Sequence, residues 1–105
     1  MDIRTEKTRR SIYNAFICIR SRKPLEKLTV KELCEKAQIN KSTFYVYYKD
    51  VYDLSDKIES EIVSSIIKSL GSADDIFDKP KEFTRNLFIA YASQSSLIKT
   101  VFSGS

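Results

Sequence analysis

The 105-residue chain is 42% hydrophobic, carries a net charge of +4, and contains two Cys, two Gly, two Pro and no His. Two Cys do not make a metal set, and with no His at all both zinc fingers and His-based catalysis are excluded. No apolar run is long enough to cross a membrane or to act as a signal peptide, so we expect a cytoplasmic protein without a membrane partner.

The positive charge is concentrated in one half of the chain. Residues 1–50 carry 12 Lys or Arg against 6 Asp or Glu, whereas residues 51–105 carry 6 against 8. The first half therefore either contacts a polyanion or presents a solvated charged surface.

Hydrophobic spacing predicts an all-α chain, because apolar residues recur every three or four positions and no alternating strand pattern competes. The first predicted helix covers residues 5–22 and ends before Pro24, since the residue before a proline disfavours helical dihedral angles. Its buried face is predicted to contain Ile12, Ala15, Phe16 and Ile19. Four arginines are expected to lie off that face: Arg9, Arg10, Arg20 and Arg22.

Residues 30–37 are predicted to form a second, short helix that begins at a capping box. The Thr29 side chain can accept a hydrogen bond from the Glu32 amide, and the Glu32 side chain can bind the Thr29 amide in return. The core-facing residues of this helix are expected to be Leu33, Cys34 and Ala37.

A turn at residues 38–39 leads to a third predicted helix, residues 41–48, with Asn40 as its N-cap. Phe44 and Tyr48 are four residues apart and are expected to face the core. The other side chains are expected to face outward or sideways: Lys41, Ser42, Thr43, Tyr45 and Tyr47.

A fourth helix, residues 51–70, is predicted between Asp50, a favourable N-cap, and Gly71, a favourable end. Asp53 places negative charge in its first turn, where the helix dipole favours it. Its buried face is predicted to contain Leu54, Ile58, Ile62 and Ile66.

Residues 71–79 are predicted to be a polar connection, after which Pro80 begins a fifth helix and residues 95–102 form a separate short one. The apolar stripe of the fifth helix is expected to be Phe83, Leu87 and Tyr91. So short a segment cannot hide all its apolar side chains, so we expect an exposed patch that binds another copy or a missing domain. The patch is predicted to contain Phe83, Leu87, Phe88, Tyr91, Leu97, Ile98 and Phe102.

Two short helices joined by a tight turn are typical of the helix-turn-helix unit, whose second helix can enter the major groove of DNA. Such a helix needs a buried side that fixes its angle and an outward side with small polar or basic groups that approach base edges. The candidates for base contacts are Lys41, Ser42 and Thr43. The candidates for phosphate contacts are Lys31, Tyr45, Tyr47 and Lys49.

Residues 28–50 read LTVKELCEKAQINKSTFYVYYKD. This segment resembles the DNA-binding signature of the TetR family of transcription regulators, and the resemblance extends over about residues 8–68. The phrases KPLEKLTV and TFY are most similar to the branch that includes regulators of dihydroxyacetone kinase. The resemblance implies a sequence-specific, operator-binding regulator, expected to be a repressor, with residues 41–48 in the major groove.

The resemblance implies a DNA-binding set formed by Thr29, Lys31, Lys41, Ser42, Thr43, Tyr45, Tyr47 and Lys49. In this set Thr29 would contact a phosphate, Lys31 a phosphate or a guanine, and the two tyrosines phosphates or a thymine methyl. The alternatives are that the tyrosines are solvent-facing aromatics and that Lys31 and Lys49 are plain surface lysines. Val46 either packs against the protein or contacts a methyl group.

The chain departs from the family pattern at three positions, each of which puts affinity in question. Gln38 stands where the family usually has a turn glycine, so it is expected to be mildly strained. Val51 replaces a frequent lysine near the DNA backbone, and Tyr47 replaces a frequent histidine.

The resemblance divides the chain into a helix-turn-helix domain at residues 1–50, a connecting fourth helix at residues 51–70 and a partial C-terminal domain at residues 71–105. In the family that last domain binds a small-molecule effector and forms the dimer, so the chain is interpreted as truncated there. The implied partners are double-stranded DNA, a second copy when the C-terminal domain is complete, and an effector.

Other classes of function find less support in the sequence. There is no glycine-rich phosphate loop and no nucleophile–base set, so we expect neither an enzyme nor a cofactor or metal site. Cys18 and Cys34 are interpreted as packed thiols. The remaining alternative is a helical module that binds a protein partner, which a lack of positive potential around Lys41 would favour.

Overall fold

The computed structural model describes residues 3–70 and 74–102, and these ranges contain α-helices and no β-strand. Their helices are α1 (Ile3–Arg20), α2 (Val30–Ala37), α3 (Lys41–Tyr47), α4 (Val51–Leu70), α5 (Asp75–Asp78) and α6 (Pro80–Phe102). A short 3-10 turn, Leu25–Lys27, follows α1. The all-α prediction is confirmed, and the predicted bounds of α2, α3 and α4 agree with the structure to within one residue. The predicted end of α4 at Gly71 lies outside the described residues.

The core lies where α1, α2, α3 and the first half of α4 meet. Each of these helices contributes fully buried side chains, namely Ile12, Phe16, Leu33, Phe44 and Leu54. The predicted core-facing residues of these helices are confirmed, except that Ala37 and Ile66 are half-buried at the edge. Because each large apolar side chain contributes about 1.5–3 kcal/mol when buried, this cluster fixes the relative orientation of the four helices.

Arg20, at the end of α1, corrects the prediction that it lies off the apolar face, because it is only 6% exposed. Its Nη1 donates to the Lys23 carbonyl at 2.8 Å, and its Nη2 donates to the Val101 carbonyl at 3.3 Å. The Lys23 carbonyl follows the end of α1, and the Val101 carbonyl lies in the last turn of α6. The helix dipole favours a cation at the C-terminal end of each helix. α1 also ends earlier than predicted, since the amides of Arg22 and Lys23 both donate to the Ile19 carbonyl.

The C-terminal segment forms one long helix, α6, rather than the two that were predicted. Residues 93–96 interrupt the apolar pattern, but they contain neither Gly nor Pro, so the helix continues through them. The predicted polar connection also contains a helix, α5, and its residues 71–73 lie outside the described residues. α6 packs against both α4 and α1.

The packed face of α6 also differs from the predicted stripe. It is formed by the buried or half-buried residues Phe83, Ala90, Leu97, Ile98 and Val101. Leu87 and Tyr91 were expected on this face but are exposed, because the helix buries Ala90, and they lie about 60° and 100° around the helix from it. The members of the predicted apolar patch that do lie on the surface are Leu87, Phe88, Tyr91 and Phe102.

Candidate nucleic-acid interface

The turn between α2 and α3 is closed by Gln38, which adopts a left-handed conformation with φ 59° and ψ 48°. Its amide donates to the Glu35 carbonyl at 3.3 Å, and the Ile39 amide donates to the Cys34 carbonyl at 3.0 Å. This pair of bonds is the Schellman pattern, and Ile39 packs against the core as that pattern favours. The positive φ predicted for Gln38 is confirmed, whereas the strain expected from it stays a prediction, and its geometry sets the direction in which α3 leaves α2.

Replacing Gln38 with glycine is expected to raise the free energy of unfolding by about 1 kcal/mol, because glycine adopts this conformation without a Cβ clash. Urea denaturation followed by circular dichroism measures the change. Lys36→Gly is the matched control, since Lys36 is exposed inside α2 and glycine there costs about 1 kcal/mol. A loss of stability in both variants would contradict the strain assigned to Gln38.

The start of α2 presents Thr29 and Lys31 to solvent. The Thr29 hydroxyl accepts a hydrogen bond from the Glu32 amide at 3.1 Å, as predicted. The Glu32 carboxylate lies 2.7 Å from Lys23 Nζ rather than returning to the Thr29 amide, so the second half of the predicted capping box is wrong. Because a hydroxyl can donate while it accepts, Thr29 can still donate to a phosphate.

The rotation of α3 about its axis is fixed by aromatic packing. Phe44 is 0% exposed, and its ring centroid lies 5.5 Å from that of the buried Tyr48. Tyr45 packs edge-to-face against Phe44 at 5.3 Å while remaining 54% exposed. Asn40 occupies the predicted N-cap position, but its side chain makes no capping bond, and its carbonyl accepts from the Thr43 and Phe44 amides instead.

The outward face of α3 follows from the position of Phe44. At about 100° per residue, the residues two before and two after it, Ser42 and Val46, each lie about 160° around the helix from it. Both are exposed. Tyr45, about 100° from Phe44, and Lys41, about 60° from Phe44 at the start of α3, are exposed at one edge of this face. A small polar and an apolar side chain therefore stand opposite the buried side of α3, with an aromatic and a basic side chain at the edge.

The predicted DNA-binding residues divide into two groups in the structure. Lys41, Ser42 and Tyr45 are exposed on α3, whereas Thr43 and Tyr47 are half-buried on the same helix, and Tyr47 packs against the core. The remaining three are exposed on the segments before and after α3: Thr29, Lys31 and Lys49. The structure thus brings five of the eight predicted residues together on one short helix.

The junction of α3 and α4 is closed by two carboxylates. Asp50 Oδ1 accepts from the Asp53 amide at 2.8 Å, so the predicted cap is confirmed, and Asp53 Oδ2 accepts from the Lys49 amide at 2.9 Å. Hydrogen bonding from the Lys49 amide, aided by the Lys57 ammonium, outweighs the opposing effect of burial and lowers the pKa of Asp53. The carboxylate is therefore charged at neutral pH and holds Lys49 at the end of α3.

Lys57, in α4, links the end of α3 to the start of α4, and this contact was not predicted from the sequence. Its Nζ donates to the Tyr47 carbonyl at 3.4 Å and to Asp53 Oδ2 at 3.2 Å, and it lies 5.3 Å from the centre of the Tyr48 ring. The Tyr47 carbonyl is one of the groups that the end of a helix leaves without an intrahelical partner. The four-residue spacing between Asp53 and Lys57, at which opposite charges on a helix interact, was the sequence feature that could have indicated this role of Lys57.

Two more exposed residues at this surface were left out of the predicted set. Val46 is 75% exposed, so the alternative in which it packs against the protein is wrong for this chain. Tyr52 is exposed in the first turn of α4. Val46 lies two residues after the buried Phe44, and Tyr52 lies two residues before the buried Leu54, so helical spacing was enough to place both outward.

Other kinds of site find little support in the described residues. They contain no group of three or more His, Cys, Asp or Glu placed to hold a metal ion. None of their helices combines the length and the hydropathy that crossing a membrane requires. Cys34 is buried beneath the turn, and burial raises the pKa of its thiol against a smaller opposing effect of Lys41.

The chain was compared with models of protein families, with curated proteins and with solved structures, and none of them matches it. Its function must therefore be argued from the geometry and charge of α2, α3 and the start of α4. These elements place basic, hydroxyl and aromatic side chains around one exposed helix face.

Proposed function

We propose that this chain is a sequence-specific DNA-binding transcription regulator of the TetR type, acting as a repressor in the cytoplasm, and that α3 enters the major groove of an operator. The observation that carries the proposal is the division of α3 into two sides. Phe44 is fully buried on one side, whereas Ser42 and Val46 are exposed on the other. The major groove admits an α-helix, and a recognition helix needs such a division.

The charge near α3 supports the same proposal. Lys31 lies in the first turn of α2, Lys41 begins α3, and Lys49 follows its end; all three are exposed. Cations on either side of a helix that enters the groove meet the two phosphate backbones that border it. The twofold excess of Lys and Arg over Asp and Glu in residues 1–50 adds a long-range attraction for DNA.

The partner that we propose besides DNA is a second copy of the chain. Two heads bound to successive turns of DNA stand about 34–36 Å apart, which requires a contact that sets their spacing. The exposed apolar residues of α6 supply a surface for such a contact, and Phe88 among them is 71% exposed. A small-molecule effector would act by changing the distance between the two heads.

The test is binding of the chain to a random-sequence duplex library at several salt concentrations, with sequencing of the bound pool. We expect affinity to fall steeply with salt, since each neutralised phosphate contributes about −0.9 to the slope of log K against log salt. The bound pool should be enriched in a palindrome. Lys49→Ala should reduce the slope by about one, whereas Lys68→Ala, an exposed lysine near the end of α4, should leave it unchanged.

The outcomes separate the proposal from its alternatives. Salt-dependent binding with a palindrome supports an operator-binding dimer. Salt-dependent binding without enrichment would leave a DNA-binding head without sequence recognition, contrary to the proposal. No binding at low salt would overturn the proposal and favour a helical module that binds a protein partner.

A further inference from the structure

Val46 is an apolar side chain in the middle of the exposed face of α3. It is 75% exposed, although valine is a residue that proteins usually bury. It is also absent from the core cluster and from the partly buried residues that pack against that cluster. The structure therefore gives Val46 no packing role within the chain.

The chemistry around Val46 narrows what it can contact. Ser42 and Thr43 lie one helical turn before it and Tyr45 directly precedes it, and each of them carries a hydroxyl group that suits a base edge or a phosphate. The major-groove edges of the four base pairs offer hydrogen-bonding atoms and one apolar group, the 5-methyl of thymine. The isopropyl group of Val46 can make an apolar contact with that methyl group, but it cannot form a hydrogen bond with the other groups.

We infer that Val46 contacts the 5-methyl group of a thymine in each half-site and so selects thymine over the other bases at that position. The inference rests on the proposed function and adds one specificity-determining residue to it. A valine in a helix has one strongly preferred side-chain rotamer, so its two methyl groups occupy a fixed place. Ser42 lies one helical turn before Val46, at a distance of about 5–6 Å between Cβ atoms, and would contact a neighbouring base.

The experiment exchanges thymine for uracil, which removes the 5-methyl group and leaves base pairing unchanged. In the duplex selected from the library, each thymine of the half-site is replaced in turn, and the Kd is measured for the wild-type chain and for Val46→Ala. We expect one position at which uracil weakens wild-type binding about fourfold, the factor for one buried methyl group. At that position Val46→Ala should bind the thymine and uracil duplexes equally.

The controls keep the result specific to Val46. Because the side chain is exposed, Val46→Ala should retain the helix content and thermal midpoint of the wild type, which circular dichroism checks. Val63→Ala is the matched variant, since Val63 is 46% exposed on α4, and it should keep the fourfold preference for thymine.

Three outcomes would overturn the inference. If uracil does not weaken binding of the wild-type chain at any thymine position, the chain does not contact a thymine methyl group. If Val46→Ala still prefers thymine about fourfold, another side chain such as Tyr45 makes the contact. Both of these leave DNA binding intact and reject the inference alone, whereas a failure to bind any duplex rejects the proposed function together with it.

Discussion

Phe44→Ala is expected to lower the free energy of unfolding by about 3–5 kcal/mol, the loss measured when a large aromatic side chain is removed from a closed core. Phe44 is fully buried, and its ring packs against those of Tyr45 and Tyr48. A domain of this size has a total stability of about 5–15 kcal/mol, so the variant loses a large part of it. Urea denaturation followed by far-ultraviolet circular dichroism measures the difference.

Tyr45→Ala, at the next position, is the matched comparison. Its side chain is 54% exposed, so truncation should cost little stability and leave the helix content unchanged. It should instead weaken binding to the selected operator, because Tyr45 lies on the face of α3 that we place in the groove. The reverse pattern, with Tyr45→Ala unfolded and Phe44→Ala stable, would mean that α3 is rotated about its axis from the orientation described above.

Arg20→Met is expected to lower the free energy of unfolding by about 1–3 kcal/mol, because it leaves the buried Val101 carbonyl and the partly buried Lys23 carbonyl without their donor. Methionine keeps an unbranched apolar chain against the surrounding residues while it removes the guanidinium that binds Lys23 and Val101. The loss should be concentrated at the end of α6. Hydrogen exchange measured by mass spectrometry should show faster exchange in the last turn of α6, with α2 and α3 still protected.

Arg22→Met is the control for that experiment. Arg22 is exposed and two residues away, and it carries the same charge, so its removal should change stability by less than about 0.5 kcal/mol. Unchanged exchange at the end of α6 in the Arg20 variant would show that this helix is held by its apolar face alone.

The sequence predicts α2, α3 and α4 well because the residues that define the ends and the buried sides of these helices lie within or next to them. Thr29 caps α2, Asp50 caps α4, and the four-residue spacing of Phe44 and Tyr48 identifies the buried side of α3. Each of these signals lies within one helical turn of the element that it defines. The left-handed conformation of Gln38 was expected from the family resemblance, in which a turn glycine usually stands at this position, rather than from a signal in the residues themselves.

The features that the sequence did not reveal depend on contacts between distant segments. From the sequence alone Arg20 is expected on the surface, because only the fold brings the Val101 carbonyl within hydrogen-bonding distance of its guanidinium. The rotation of α6 about its axis is likewise set by its packing against α4 and α1, which buries Ala90 and leaves Leu87 and Tyr91 exposed. Helical spacing identifies an amphipathic segment, but it cannot choose between two adjacent apolar faces when the packing partner is unknown.

The same distinction applies to the candidate interface. The residues on α3 were predicted from their spacing around Phe44, and the same spacing was enough to place Val46 outward, although its role was left open. Lys57 was missed because its bond to the Tyr47 carbonyl joins two different helices. Helix-to-helix contacts of this kind become visible only when the fold is known.

The hydrogen bond between Arg20 and the Val101 carbonyl joins residues 81 positions apart, whereas α1, α2 and α3 meet through short connections. Closing a long loop costs more chain entropy than closing a short one, so local contacts form first along the folding route. The transition state for folding should therefore contain α1, α2 and α3 packed together, and α6 should pack against them after that transition state. Substitutions at this bond would then accelerate unfolding and leave the rate of folding almost unchanged.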